Sequence, residues 1–322
     1  MAATPDQARL FAQTFDQMVL NVARAISGKE DVIRLALTCL LSEGHLLLED
    51  FPGTGKTSLA KAIANTVHGS HARIQFTPDL LPSDVTGVQI YDQRTQQFQF
   101  HPGPILNSIV LVDEINRASP KTQSALLEVM EEGRVTVDGV AHAVGRPFMV
   151  IATQNPIEQA GTYPLPEAQL DRFLMKTGIG YPDHNATVAL LADAATRDRT
   201  VNVPPAIASA AVGQLAAVAD QVHVDPAVLG YVSRLAEASR VHPAVRLGVS
   251  VRGCLAHVRC AKTWAIAHGR HYVLPDDVAE LAVPVLSHRI LLAPEAQFDG
   301  TTVEQVVASL LADVQPPTER AA

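Results

Sequence analysis

Apolar positions recur at helical spacing from Phe11 to Ala25. They recur again over Asp31–Leu41, where residues 32, 33, 35, 36, 37 and 40 are apolar. The run "HLLLE" (45–49) then predicts a short buried strand, which leads through a glycine-rich turn into the helical pattern "TSLAKAIANTV". "ARIQF" (72–76), "SIVLVDE" (108–114) and the apolar part of "PFMVIATQNP" (147–156) predict three more strands. Largely apolar strands alternating with helices predict an α/β fold, a parallel sheet covered on both faces. Two segments depart from that rhythm. "TGVQIYDQRTQQFQFHPG" (86–103) alternates about a polar centre, and "GRVTVDGVAHAVGRP" (133–147) does so about Asp138-Gly139; both predict β-hairpins. Beyond about residue 182 the pattern is helical, in segments such as "AIASAAVGQLAAVADQV", "AVLGYVSRLAEAS", "SVRGCLAHVRCAKTWAIAHG" and "DDVAELAVPVLSHRI". The expected organisation is therefore an α/β domain over 1–182 with hairpins at 86–103 and 133–147, an all-α domain over 183–316, and a frayed tail at 317–322. The boundary is expected near Tyr181-Pro182.

Composition narrows the class. Of 322 residues, 47% are apolar and 18% charged, an ordinary globular balance with enough chain for two cores. The formal net charge of −8 gives no general attraction to phosphate backbones, so nucleic acid is not an expected partner. The three cysteines, Cys39, Cys254 and Cys260, have no C-x-x-C spacing, which suits reduced thiols and a cytoplasmic protein. The start, "MAATPDQARLFAQ", lacks a basic region followed by an apolar core, so no secretory signal is expected. No apolar stretch approaches the roughly 18 residues of a membrane span. The twelve histidines are scattered and imply no metal site.

The glycine-rich turn carries the first candidate chemistry. "DFPGTGKTS" nearly spells G-x-x-x-x-G-K-[ST], with Asp50 in place of the first glycine. The candidate phosphate-binding set is Pro52, Gly53, Thr54, Gly55, Lys56, Thr57 and Ser58. Gly53 and Gly55 let the backbone curl around phosphate oxygens, Lys56 reaches the β and γ phosphates, and the Thr57 hydroxyl ligates magnesium. The missing glycine precedes the part that wraps the phosphates. Downstream, "IVLVDEIN" ends a buried strand in two acids, a costly arrangement without a cation or water to serve. Asp113 can hold magnesium through its water shell, and Glu114 can polarise an attacking water.

These residues resemble the AAA+ ATPases and, more narrowly, the MoxR family, over about residues 26–311. The resemblance rests on "LLLEDFPGTGKTSLAKAIA", "RIQFTPDLLPSDVTG", "GPILNSIVLVDEINRASPKTQSALLEVMEEGRVTVDG", "MVIATQNPIEQAGTYPLPEAQLDRFLM", "GRHYVLPDDV" and "VLSHRILL". It implies an AAA+ P-loop core with hairpin inserts, followed by a small all-α lid. An aspartate at the start of the loop is familiar in that family. The resemblance further implies that Asn155 is the sensor-1 residue, that Arg172 in "LDRF" is an arginine finger acting on the neighbouring subunit, and that Arg252 in "LGVSVRG" is sensor 2. Many relatives carry proline where Val251 stands; Ser250 can still cap the helix and leave Arg252 in its first turn. Taken alone, Asn155 before Pro156 also suits a turn, Arg172 beside Asp171 a solvated helix charge, and Arg252 a side chain packed along the lid surface. Arg117 is a further candidate for an intersubunit contact or a solvated charge. Phe98 and Phe100 flank Gln99 and fall on one side of a strand, where they could grip a partner or pack on the hairpin's own base. His142 is expected to be solvated.

What the resemblance implies is ATP hydrolysis with Mg2+ at the interfaces of a homo-oligomeric ring, a hexamer by family expectation. The energy would remodel, activate or assemble partner complexes, or insert cofactors or metals. The client would be a separate protein, in such families often one with a von Willebrand factor A domain. Two other classes compete. A slow nucleotide-dependent switch or scaffold would have no use for a finger such as Arg172. A nucleic-acid motor is opposed by the acidic balance and by the hairpin tip "VDGVAH", which lacks Lys and Arg.

Overall fold

The computed structural model describes residues 2–51, 53–155, 162–192 and 198–317. In chain order the first elements are α1 (Pro5–Ala23), α2 (Glu30–Leu41), β1 (Leu46–Glu49), α3 (Lys56–Thr66), β2 (His71–Gln75) and α4 (Pro82–Thr86). A hairpin of β3 (Gly87–Asp92) and β4 (Gln97–Pro102) follows, then β5 (Ile109–Asp113) and α5 (Pro120–Glu132). A second hairpin, β6 (Arg134–Val137) and β7 (Val140–Ala143), precedes β8 (Met149–Gln154), α6 (Glu167–Leu170), β9 (Met175–Thr177) and α7 (His184–Ala192). The remaining chain is mainly helical: α8 (Ser209–Asp220), α9 (Pro226–Val241), α10 (Val251–Ala267), α11 (Pro275–Leu286), α12 (Pro294–Phe298) and α13 (Val303–Asp313). A two-stranded ribbon, β10 (Val245–Leu247) with β11 (Leu291–Leu292), interrupts it.

The main sheet has the order β2-β5-β8-β1-β9, with β2, β5, β8 and β1 parallel. β5 is buried at every position and β8 at all but its last residue, which is why both strands are apolar almost without alternation. β2 lies at an edge and alternates instead. Both expected hairpins are present, antiparallel and regular. The second turns at Asp138 and Gly139, whose φ of 48° and 80° give the doubly left-handed turn that matches strand twist. α5 has the local signals of a helix: Ser119 accepts from the Thr122 N–H, Pro120 opens the first turn and Gly133 closes it with φ 63°.

Contacts divide the chain into two compact units, and the division does not fall at residue 182. One unit comprises Gln17–Leu165 and Thr177–Gly213, the other Met1–Asp16, Pro166–Lys176 and Gln214–Ala322. Side-chain hydrogen bonds supply the reason. Within the α/β unit, Lys29 Nζ donates to the Tyr181 carbonyl at 2.7 Å, and Asn65 and Asn21 donate to the carbonyls of Thr200 (2.9 Å) and Pro204 (2.7 Å). Ser209 Oγ donates to the His68 carbonyl at 2.7 Å. Residues beyond Pro182 are thus stitched to the α/β unit.

In the helical unit α10 packs on α9 and α11, and α13 on α9 and α11. Leu235, Ala256, Ala261, Leu281 and Leu310 are among the buried side chains of that core. Ser250 caps α10, accepting from the Gly253 N–H at 3.1 Å, so Arg252 does sit in the first turn. Among the described residues no helix is long and apolar enough to cross a membrane.

Candidate nucleotide site

The parallel sheet sets the site. β1, β2, β5 and β8 run the same way, so the segments leaving their carboxyl ends meet at one edge, where open α/β sheets bind ligands. The glycine turn leaves β1, Asp113 ends β5 with Glu114 next, Asn155 follows β8, and Gln75 ends β2 beside Asp113. A cleft of about 410 Å³ lies there. Gly53, Gly55, Lys56, Thr57, Asp113, Glu114 and Asn155 all line it.

The turn is shaped by two left-handed glycines, Gly53 with φ 82° and Gly55 with φ 96°, a conformation that any side chain would strain. Gly55 is the N-cap of α3, so the unpaired N–H groups and positive end of the helix dipole face the cleft. Lys56 Nζ donates to the carbonyls of Asp50 (3.1 Å) and Phe51 (2.9 Å), which holds the ammonium over the turn. Thr54 is buried and donates to the Phe51 carbonyl at 3.3 Å; Ser58 lies in the first turn of α3. Pro52 lies outside the described residues.

Asp50 has a structural task. Its Oδ2 accepts the backbone N–H groups of Ile179 (2.7 Å) and Gly180 (2.9 Å), and its Oδ1 that of Phe51 (2.9 Å). A carboxylate with three N–H donors is well satisfied although only 4% exposed. The departure from the glycine motif thus ties the loop to the strand exit at 179–180.

Both acids are engaged. Arg73 Nε donates to Asp113 Oδ2 at 2.6 Å, and Thr153 Oγ1 lies 3.4 Å from Asp113 Oδ1. Glu114 accepts from Gln75 Nε2 (2.8 Å) and pairs with Arg117 (3.2 Å). Arg117 is therefore in contact with the acid three residues before it. Glu114 has φ 57° and ψ 52°, left-handed for a residue with a Cβ, which costs about 1–2 kcal/mol. Its N–H donates to Thr153 Oγ1 at 3.0 Å, a bond that offsets part of that strain.

Arg73, Gln75 and Thr153 were not singled out from sequence. Arg73 and Gln75 are two apart on β2 and so share a face, but nothing local says that β2 neighbours the acidic strand. Arg172 and Arg252 belong to the helical unit, Arg172 half-buried and Arg252 exposed. At the hairpins, Phe98 is 68% exposed and packs edge-on to Tyr91, while Phe100 stacks on His142 with ring centroids 3.8 Å apart. His142 is thus packed rather than solvated.

The Thr57 hydroxyl and the Asp113 carboxylate line the same cleft. They are hard oxygen donors of the kind magnesium takes, usually with retained waters.

Comparison with known proteins agrees with this geometry. The family model described as ATPase family associated with various cellular activities (AAA) matches residues 45–175, and the AAA lid domain model matches residues 237–310. An uncharacterized Bacillus subtilis protein, YeaC, is 48% identical over 304 residues, covering 94% of this chain and 95% of that one. Chaperone MoxR1 of Mycobacterium tuberculosis is 39% identical over 316 residues, 94% of this chain and 82% of its own. Protein MoxR of Paracoccus denitrificans is 34% identical over 303 residues, 84% and 86% of the two chains. The crystal structure of a candidate ATPase from Cytophaga hutchinsonii superposes with a TM-score of 0.90 at 34% identity, over 97% of this chain and 98% of that one. With an AAA core and lid in this order, and relatives of that name matched over most of their length, the chain belongs to the MoxR family of AAA+ ATPases.

Proposed function

We propose that this chain binds and hydrolyses ATP at the interfaces of a homo-oligomeric ring in the cytoplasm, and that turnover remodels, activates or assembles a separate client protein. The observation that carries the reading is the convergence of Lys56, Thr57, Asp113, Glu114 and Asn155 on one cleft at the carboxyl edge of the sheet. The N–H groups of the glycine turn and the start of α3 would cradle the phosphates, and Lys56 would leave its two carbonyl partners for the β and γ phosphates. Magnesium, held by Thr57 and, through water, by Asp113, would neutralise charge developing on the phosphates. Glu114 would polarise the attacking water and Asn155 would orient it. Arg172 of one subunit would reach the γ-phosphate of the next, and Arg252, the sensor-2 arginine, would contact phosphate and report the nucleotide state to the lid. A client bearing a von Willebrand factor A domain is the partner class we favour, and cofactor or metal insertion is one form the remodelling could take.

One observation favours a slower machine. Both acids are already paired within the chain, Asp113 with Arg73 and Glu114 with Gln75 and Arg117. A nucleotide-dependent switch that turns over rarely would keep them so.

The test is ATPase rate per subunit against protein concentration, with Arg172→Ala in parallel. A specific rate that climbs with concentration, and falls by about a thousandfold in the variant, is expected of a site completed between subunits. A flat rate indifferent to Arg172 would remove the trans-acting role and bring the switch forward.

A further inference from the structure

Arg172 sits on a segment that its own helix barely supports, since α6 has four residues and ends at Leu170. What holds the segment is Arg289, in the 3-10 turn after α11, whose side chain is 2% exposed. Its Nε donates to Asp171 Oδ1 at 2.7 Å. Its Nη2 donates to the carbonyls of Phe173 (2.6 Å) and Asp171 (3.3 Å), and Nη1 to those of Leu174 (3.2 Å) and Val285. Three of the four residues 171–174 thus give a carbonyl to one guanidinium, and Asp171 adds its carboxylate. A rigid fork of five donors can do this, whereas a lysine cannot.

The same pair reaches the start of α10. Asp171 Oδ2 accepts from Ser250 Oγ at 3.1 Å, and Ser250 is the cap of the helix that carries Arg252. Gly253, next to Arg252, lies against the other half of the pair. A Cβ there would stand 2.9 Å from Arg289 Cδ and 2.8 Å from Val249 Cγ1, so the close approach needs glycine. All these residues belong to the helical unit, the 166–176 segment included. An apolar side chain could close such a gap without the cost of desolvating a charge; an ion pair in which Arg289 donates five hydrogen bonds and Asp171 accepts a further one from Ser250 fixes a geometry instead.

We infer that the Arg289–Asp171 pair positions the arginine finger, and that through Ser250 and Gly253 it binds Arg172 and Arg252 into one rigid piece of the helical unit. Neither member of the pair is a catalytic residue; both act through Arg172. The inference rests on the trans-acting role proposed above for Arg172.

The experiment is a double-mutant cycle on steady-state ATP turnover with the full chain: wild type, Asp171→Asn, Arg172→Ala and the double variant. Asp171→Asn is expected to lower kcat by about ten- to a hundredfold, as a small misplacement of a catalytic group does. The double variant is expected to be no slower than Arg172→Ala alone. Ser250→Ala, an exposed change that leaves the Arg289 bonds to residues 171–174 in place, is expected to lower kcat in the same direction by less, and to lower it by a smaller factor in the Arg172→Ala background than in the wild type. It keeps the idea testable if Asp171→Asn fails to fold. Wild-type kcat in Asp171→Asn, or losses that multiply with that of Arg172→Ala, would overturn the inference while leaving the finger in place. Wild-type turnover in Arg172→Ala itself would overturn the finger reading, and this inference with it.

Discussion

Asp50 occupies a glycine's place in the phosphate-loop motif, yet its carboxylate accepts three backbone N–H groups. Restoring the motif with Asp50→Gly should therefore destabilise the protein by about 1–3 kcal/mol, because a buried donor at Ile179 loses its acceptor, and should not tighten ATP binding. Urea midpoints check the first part; a variant as stable as the wild type would show that the carboxylate anchors nothing. Glu114 differs in kind. Its strained backbone and its contacts to Gln75 and Arg117 concern geometry, and its proposed chemistry concerns one water. Glu114→Gln should retain ATP and hydrolyse it about a hundred- to ten-thousandfold more slowly, the usual share of a general base. Rapid single-turnover hydrolysis in that variant would assign the water to another residue. That Lys56, Thr57, Asp113 and Glu114 would meet at one cleft was legible because lysine, threonine and paired acids at these spacings have few other uses. Arg73, Gln75 and Thr153 were not, because their role comes from which strand lies beside which.

Among the elements, β5 and β8 could be read directly, since burial on both faces leaves an unbroken apolar run. Both hairpins were legible from alternation and turn residues. α5 went unnoticed although Ser119, Pro120 and Gly133 mark both its ends, and α13 although Thr302 and Gln305 form a capping box. β9, β10 and β11 have two or three residues each, too few for any period to register. The contact between the hairpins is wholly tertiary: Phe100 of β4 stacks on His142 of β7. An aromatic contact of this sort contributes about 0.5–1.5 kcal/mol, so Phe100→Ala should leave the fold intact while speeding amide exchange in the second hairpin up to about tenfold. Unchanged exchange over 134–143 would mean that the hairpins hold their places independently.

For the molecule as a whole, acid stability follows from the helical unit. Burial pushes the His257 imidazole down from 6.5 to about 4, its Nε2–H donating to the Val278 carbonyl at 2.8 Å. His288 is driven well below its ordinary value by the same cause and by the charge of Arg289. Above pH 6.5 neither the folded nor the unfolded ring holds the extra proton. Between 6.5 and 4 the unfolded chain takes it up and the folded ring refuses it, so stability falls as pH falls. His257 alone should cost about 2 kcal/mol at pH 5, readable as a lower urea midpoint that moves less with pH in His257→Gln. Undiminished pH dependence in that variant would place the effect on other groups. The division of the chain is the larger lesson at this scale. The change from α/β to helical character near residue 182 is real in the sequence, but 177–213 stays with the sheet and 166–176 with the helices. By itself the sequence determined the long helices and buried strands, the hairpins, and the glycine-rich turn with its acids, because periodicity and short-range spacing are local properties of the chain. Only the tertiary structure decided the sheet order that gathers the acids with Arg73 and Gln75, the anchoring of Asp50, and the buried Arg289 beneath the Arg172 segment. Each depends on hydrogen bonds between residues 39 to 130 positions apart, and no local pattern records which distant donor a buried acceptor will meet.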